Sequence, residues 1–116
     1  MKKFLFCAAL FFAAGFQAQT VSCSDLVQYA KSEDPYPEIV GSSNSAVLAK
    51  TEYYRLDGEG LVIAYIKSKP YDFYGKPYIF CGISSERWTK FKVEGMVRGY
   101  GKAFHDYIKD YTCNCK

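Results

Sequence analysis

Cysteine is the residue type in this chain whose number and spacing indicate chemistry most directly. Cys7 lies in an apolar amino-terminal run, and four more cysteines follow it at Cys23, Cys81, Cys113 and Cys115. The four cysteines that follow Cys7 are an even number. In a small domain outside the cytoplasm, an even number is typical of disulfides, because thiols are oxidised there. A Cys113–Cys115 bridge would close a very small, strained ring. Of the three possible connectivities, the one with that bridge therefore ranks last, and the other two both fix the carboxyl terminus to the rest of the domain.

The only histidine of the sequence suggests two further kinds of chemistry. His105 precedes Cys113 by eight residues and Cys115 by ten, and with Cys81 it would complete a Cys3His set for zinc or copper. The Cys-x2-Cys spacing typical of zinc sites does not occur. No serine, thiol or carboxylate stands at the spacing of a catalytic triad around His105. The sequence therefore predicts structural disulfides, no metal or other cofactor, and no enzymatic activity.

Aromatic side chains make up 18% of the residues and are the second chemical feature of the chain. Tyr71, Phe73 and Tyr74 fall in a loop, where rings with no obvious packing role often mark a contact surface. Tyr78 and Phe80 share one face of the following strand, where rings either pack into the core or stack on a ligand. We predict a binding surface of Tyr71, Phe73, Tyr74 and Tyr78, with the core as the alternative environment of Tyr78.

The amino terminus has the pattern of an export signal. Two lysines precede the uncharged run from Phe4 to Phe16, and Ala18 with Gln19 offers a small-residue cleavage site. Thirteen apolar residues are too few for a permanent membrane-spanning helix, which needs about 20. The sequence predicts a signal peptide at 1–19 and a periplasmic or secreted mature protein that has no membrane span.

Removal of the signal peptide also changes the charge. Without Lys2 and Lys3, thirteen basic residues face twelve acidic ones, so the formal net charge falls from +3 to +1. Proteins that bind nucleic acid usually carry a strong basic excess. Charge therefore gives no support to nucleic-acid binding.

The remaining sequence predicts a single α+β domain. A short amino-terminal helix, capped by Ser22 or Ser24, ends at the proline-rich run 34–37, and a polar extended arm continues to residue 45. Three β-branched or aromatic stretches then predict a three-stranded antiparallel meander. Two helices, from Ser85 to about Val97 and from about Gly101, are predicted to cover one face of that sheet.

The order of these elements resembles the KTSC domain, a family named for the carboxyl-terminal domain of some lysyl-tRNA synthetases. The run Tyr78-Ile79-Phe80 stands where the family has a central Tyr-x-Tyr. The frame of the family's carboxyl-terminal motif is matched, with His in place of Asn, at Gly101, Phe104, His105 and Ile108. The resemblance covers about Ser45 to Tyr111. The chain departs from the family in a longer loop at 69–76, in its cysteines and in its export signal.

The resemblance divides the chain into four parts and bears on its function. They are the signal peptide at 1–19, a helix and arm at 20–45, a KTSC-like domain at 46–112 and a cysteine-containing tail at 113–116. The family has no established activity, and RNA binding is the one suggested for it. We predict a non-enzymatic module that binds a protein or envelope partner. RNA binding and a metal or redox role of the cysteines are the alternatives.

Overall fold

The computed structural model describes residues 22–42 and 45–116, so the predicted signal peptide at 1–19 lies outside the described residues. The described chain forms three helices and four strands. In chain order they are α1 (Cys23–Glu33), β1 (Glu38–Gly41), β2 (Leu48–Arg55), β3 (Gly60–Ile66), β4 (Lys76–Ile83), α2 (Ser85–Arg98) and α3 (Tyr100–Tyr107). The predicted α+β class is confirmed.

The sheet has four antiparallel strands in the order β1-β2-β3-β4, one more than the predicted three-stranded meander. The additional strand is β1, which lies in the segment predicted to be an extended arm. Two prolines keep the chain extended just before it, and β1 then pairs with β2 from Glu38 opposite Tyr53 onwards. An edge strand of four residues is too short to show an alternating pattern in the sequence.

The polar run from Gly41 to Ser45, which is the end of the predicted extended arm, is partly buried where the structure describes it. Gly41 ends β1, and Ser42 is only 5% exposed. The Ser42 hydroxyl donates to the Leu48 carbonyl at 3.3 Å. Residues 43 and 44 lie outside the described ranges. Ser42 is packed at the end of a paired strand, where a buried polar group needs a hydrogen-bond partner.

Serine caps and one glycine set the helix ends. The Ser22 hydroxyl accepts the N–H of Asp25 at 3.1 Å at the start of α1. Ser84 does the same for Arg87 at 3.1 Å at the start of α2. Gly99 separates α2 from α3 with a φ of +100°, which L side chains rarely adopt. The prediction of two helices after the sheet is confirmed.

The larger core lies between one face of the sheet and the helices α2 and α3. Its centre is a ring stack, which we define as Tyr53, Trp88 and Phe91. Ring centroids are 4.9 Å apart for Tyr53 and Trp88, and 5.1 Å apart for Trp88 and Phe91. Phe80 meets Phe104 edge-on at 5.3 Å beside the stack. None of these rings is more than 6% exposed, so buried aromatic surface stabilises this side of the sheet.

Hydrogen bonds connect the ring stack to the sheet. The Tyr53 hydroxyl donates to the Ile83 carbonyl at 3.0 Å, and the Trp88 indole N–H donates to Glu38 Oε1 at 3.0 Å. Lys92 donates to the other Glu38 oxygen at 2.6 Å. Buried donors without such partners would destabilise the fold. Glu38 therefore joins the edge strand β1 to α2.

The smaller core lies on the opposite face of the sheet, under α1. Ala30 of α1 belongs to a cluster with Tyr54 and Leu61, whereas Val62 and Ala64 point into the larger core. Strand β3 is thus covered on both faces, as its uninterrupted apolar run predicts.

Two disulfides fix the ends of the chain. Cys23 is bonded to Cys115 and Cys81 to Cys113, with Cα atoms 5.0 and 4.9 Å apart. The prediction of two disulfides is confirmed, and the pairing is one of the two connectivities ranked above that with a Cys113–Cys115 bridge. Structural disulfides form in oxidising compartments, so these indicate an extracytoplasmic environment. Within residues 22–42 and 45–116, no helix has the length and apolar character needed to span a membrane.

Candidate functional site

Residues 67–75 connect β3 to β4, and we call them the aromatic loop. Three of its side chains, Tyr71, Phe73 and Tyr74, are 67%, 78% and 84% exposed. Contact of this much aromatic surface with water is unfavourable in the free protein. Burial of these rings by a partner would therefore stabilise the complex.

Asp72 orders the aromatic loop from within. Its Oδ1 accepts the backbone N–H of Tyr74 at 3.3 Å and that of Gly75 at 3.1 Å. Its Oδ2 accepts the backbone N–H and the hydroxyl of Ser68 at 3.3 and 3.4 Å. The N–H of Gly75, followed by that of Ser68, lowers the pKa of the Asp72 carboxyl. The rings are thus carried on a frame that is ordered before binding, which reduces the entropy lost on association.

The aromatic loop is held to the sheet at both ends. Gly75 has a φ of +70°, and a Cβ there would lie 2.8 Å from the carbonyl carbon of Tyr65. Glycine alone fits both the backbone conformation and the space. At the other end, the Lys67 ammonium donates to the Ser45 carbonyl at 2.8 Å. The position of the loop is therefore fixed relative to the sheet.

Lysine ammonium groups lie beside two of the exposed rings. Lys69 Nζ is 5.6 Å from the ring centre of Tyr71, and Lys76 Nζ is 5.9 Å from that of Tyr78. At this distance a cation is weakly attracted to the ring. Tyr78 is 45% exposed, whereas Phe80 on the same strand is 6% exposed. The structure thus separates two rings that the sequence pattern treats alike.

A groove that the sequence did not predict lies between α1 and the sheet. It encloses about 580 Å³, with Val27 and Lys31 on the helix side and Ile63, Tyr65 and Tyr78 on the sheet side. Its volume and mainly apolar lining are typical of small-molecule sites. Tyr65 lies against the base of the aromatic loop, so the groove and the loop adjoin. The groove exists because α1 covers only part of the sheet face on which it packs. How much of that face α1 covers depends on packing between distant parts of the chain.

A buried carboxylate lies on the same face of the sheet. Glu52 is 7% exposed, accepts the Tyr54 hydroxyl at 2.9 Å and pairs with Lys50 Nζ at 3.1 Å. Burial and then the Glu52 contact raise the pKa of Tyr54. Burial, followed by the Glu52 charge, raises the pKa of Tyr65. Both tyrosines are therefore protonated donors at neutral pH, and the cluster holds this sheet face in place.

His105 and the cysteines do not form a common centre. All four cysteines of the described ranges are in disulfides, and a metal would need their thiolates. The His105 side chain is 68% exposed, with Nδ1 3.3 Å from Asp106 Oδ1. The contact with His105 is the largest cause that lowers the pKa of Asp106. In the described part of the chain, no group of three or more His, Cys, Asp or Glu is placed to hold a metal ion.

No protein-family model, curated protein or solved structure matches this chain at a significant level.

Proposed function

We propose that the protein is a non-enzymatic binding module that acts in the periplasm or outside the cell and whose contact surface is the aromatic loop. The proposal is carried by the exposure of Tyr71, Phe73 and Tyr74 on a loop that Asp72 holds in one shape. Aromatic anchors on ordered segments supply most of the binding free energy in many interfaces. The partner in this proposal is a protein or another component of the cell envelope.

The proposal includes cleavage of residues 1–19 as a signal peptide. The two disulfides support export, because they form in compartments that exported proteins reach. Intact mass of the protein recovered from an expressing bacterium tests this part. We expect the loss of residues 1–19 and of the four protons that two disulfides release. An uncut chain with free thiols would contradict it.

The proposal also treats residues 46–112 as a KTSC-like domain. Its support is the resemblance carried by Tyr78-Ile79-Phe80 and by the carboxyl-terminal motif around Phe104. The resemblance implies no particular activity, because the family has none established. The proposed contact surface lies in the loop where the chain departs from the family.

Replacement of the loop rings tests the binding proposal. We call Tyr71→Ser/Phe73→Ser/Tyr74→Ser the loop variant. It should lose the partners that the wild type captures from envelope and culture fractions, because the rings supply the contact area. Its free energy of unfolding should stay within about 0.5 kcal/mol of wild type, as expected for exposed side chains.

A matched control separates the loop from aromatic content in general. Tyr29→Ser/Tyr36→Ser removes two rings that are 51% and 83% exposed outside the loop, and it should capture the same partners as wild type. If the loop variant keeps those partners as well, the loop is not the contact surface.

A further inference from the structure

The chemistry of the aromatic loop indicates which kind of envelope partner it fits. Tyr71, Phe73 and Tyr74 expose three rings within the four-residue stretch 71–74 at the end of a hairpin. Tyrosine and phenylalanine at such positions place an apolar ring in the acyl boundary of a bilayer, and the tyrosine hydroxyl reaches the wet headgroup layer. A protruding tip of this kind can enter a soft surface without a preformed pocket on the partner.

The charge of the loop is complementary to an anionic surface. Together, the aromatic loop and Lys76 at the start of β4 contain three lysines and one aspartate, a formal +2, while the chain without the predicted signal peptide carries only +1. The aspartate is Asp72, whose carboxylate is directed to the backbone of the loop by its contacts with Ser68, Tyr74 and Gly75. The negative charge is therefore shared with donors inside the loop. Lys69 and Lys76 flank the exposed rings, whereas Lys67 is buried and donates to the Ser45 carbonyl.

The two lysines beside the rings are placed to reach lipid phosphates. Lys69 and Lys76 lie with their ammonium groups 5.6 and 5.9 Å from the ring centres of Tyr71 and Tyr78. A lysine stem packs along an apolar surface while its ammonium stays in the polar layer. Each lysine near an anionic bilayer strengthens binding by about fivefold.

We propose that the aromatic loop docks on the surface of an anionic phospholipid bilayer, with its three rings at the boundary between headgroups and acyl chains and Lys69 and Lys76 against lipid phosphates. This inference rests on the proposed function and names the partner of the same surface. Single-stranded RNA fits less well, because base stacking needs open ring faces and a lysine already lies over one face of Tyr71 and of Tyr78. A protein partner would have to supply a pocket for each protruding ring.

Vesicle co-sedimentation tests the inference. The full chain is expressed for export and recovered oxidised from the extracytoplasmic fraction, and intact mass records its amino terminus. It is then mixed with vesicles of phosphatidylglycerol and phosphatidylethanolamine, or with vesicles of phosphatidylcholine alone. Wild type should sediment with the anionic vesicles, more weakly with the neutral ones, and less as the salt concentration rises.

Substitutions assign the binding to the loop. The loop variant should bind the anionic vesicles at least about tenfold more weakly, because binding scales with the apolar area that enters the interface. Phe73→Ser alone should show a smaller loss, which keeps the test valid if the triple substitution impairs folding. Lys69→Gln/Lys76→Gln should weaken binding by about fivefold per lysine. The control Tyr29→Ser/Tyr36→Ser should bind as wild type does.

These measurements distinguish failure of the bilayer inference from failure of the proposed function. If wild type does not bind vesicles, or binds neutral and anionic vesicles equally, the bilayer inference is wrong. If the loop variant then still loses partners from envelope fractions, or loses binding to a single-stranded RNA probe, the loop remains a contact surface for another partner. If the loop variant matches wild type in vesicle binding, in capture and with the RNA probe, both the inference and the proposed function are wrong.

Discussion

The ring stack of the larger core and the rings of the aromatic loop use the same residue types in opposite environments. Trp88 and Phe91 in the stack are 2% and 0% exposed, whereas Phe73 and Tyr74 in the loop are 78% and 84% exposed. The stacked rings contact one another and the sheet, so their burial stabilises the fold. The loop rings contact water, and their burial remains available to a partner.

The two regions also differ in what keeps them ordered. The ring stack is ordered by close packing, with hydrogen bonds only at its edges, such as the bond from Trp88 to Glu38. The aromatic loop is ordered by the Asp72 carboxylate and by the fit of Gly75 against Tyr65. Order in the loop therefore does not need its rings. This molecule therefore separates the rings that stabilise its fold from the rings that we propose bind a partner.

The largest expected effect is the loss of a stacked ring. Trp88→Ala should lower the free energy of unfolding by about 3–5 kcal/mol, because it removes buried area and leaves a cavity between Tyr53 and Phe91. Denaturant unfolding measures this. Phe73→Ala is the matched control and should change stability by less than about 0.5 kcal/mol. Similar losses in both variants would remove the distinction between the two regions.

Removal of one disulfide should have the next largest effect on stability and little effect on the loop. Cys23→Ser/Cys115→Ser opens a link across 92 residues, which should lower the free energy of unfolding by about 2–4 kcal/mol. Chemical denaturation of the variant measures the change. Vesicle binding through the aromatic loop should persist below the melting temperature. Loss of binding in a folded variant would show that the loop depends on the ends of the chain.

A single methyl group tests the packing beside the ring stack. Gly95 lies in α2 against the ring of Tyr100, and a Cβ on Gly95 would collide with that ring. Gly95→Ala should therefore lower the free energy of unfolding by about 1–3 kcal/mol, despite the better helix propensity of alanine. Gly41→Ala is the control, because a Cβ there meets nothing within 4 Å. An unchanged or raised melting temperature for Gly95→Ala would mean that Tyr100 moves freely.

Acid should weaken the connection between the ring stack and β1. The hydrogen bond from Lys92, partly opposed by burial and aided by Trp88, lowers the pKa of Glu38 below its ordinary 4.5. The unfolded chain thus binds a proton at this site more readily than the folded chain. This contribution is present above pH 4.5 and is lost as the pH falls through the lowered pKa of Glu38.

Glu38→Gln isolates this contribution. Its free energy of unfolding, followed from neutral pH to acid, should fall less steeply below pH 4.5 than that of wild type. Asp72 and Asp106, whose pKa values are also lowered, should leave a residual slope in the variant. Identical slopes in the two proteins would contradict the role given to Glu38.

Features set by neighbouring residues were predictable from the sequence. The caps Ser22 and Ser84 and the helix break at Gly99 are local signals, and the structure places helix ends at each of them. The two disulfides followed from cysteine number and compartment, although their pairing did not. The exposure of the aromatic loop was predictable because the loop lies between two strands and its own residues show no alternating apolar pattern.

Features set by distant residues were not predictable. Strand β1 is defined by its pairing with β2, and its four residues carry no pattern of their own. The face on which α1 packs depends on distant residues such as Leu61, which belongs to the same buried cluster as Ala30. The groove beside α1 follows from that packing. The bond from Trp88 to Glu38 joins residues 50 positions apart. None of these leaves a local signal in the sequence.

The most direct test of the separation between the two regions is to measure stability and binding on the same preparation of the loop variant. We expect a free energy of unfolding within about 0.5 kcal/mol of wild type, together with a loss of vesicle binding of at least about tenfold. A loop variant that is destabilised by several kcal/mol, or that binds as wild type does, would contradict this expectation.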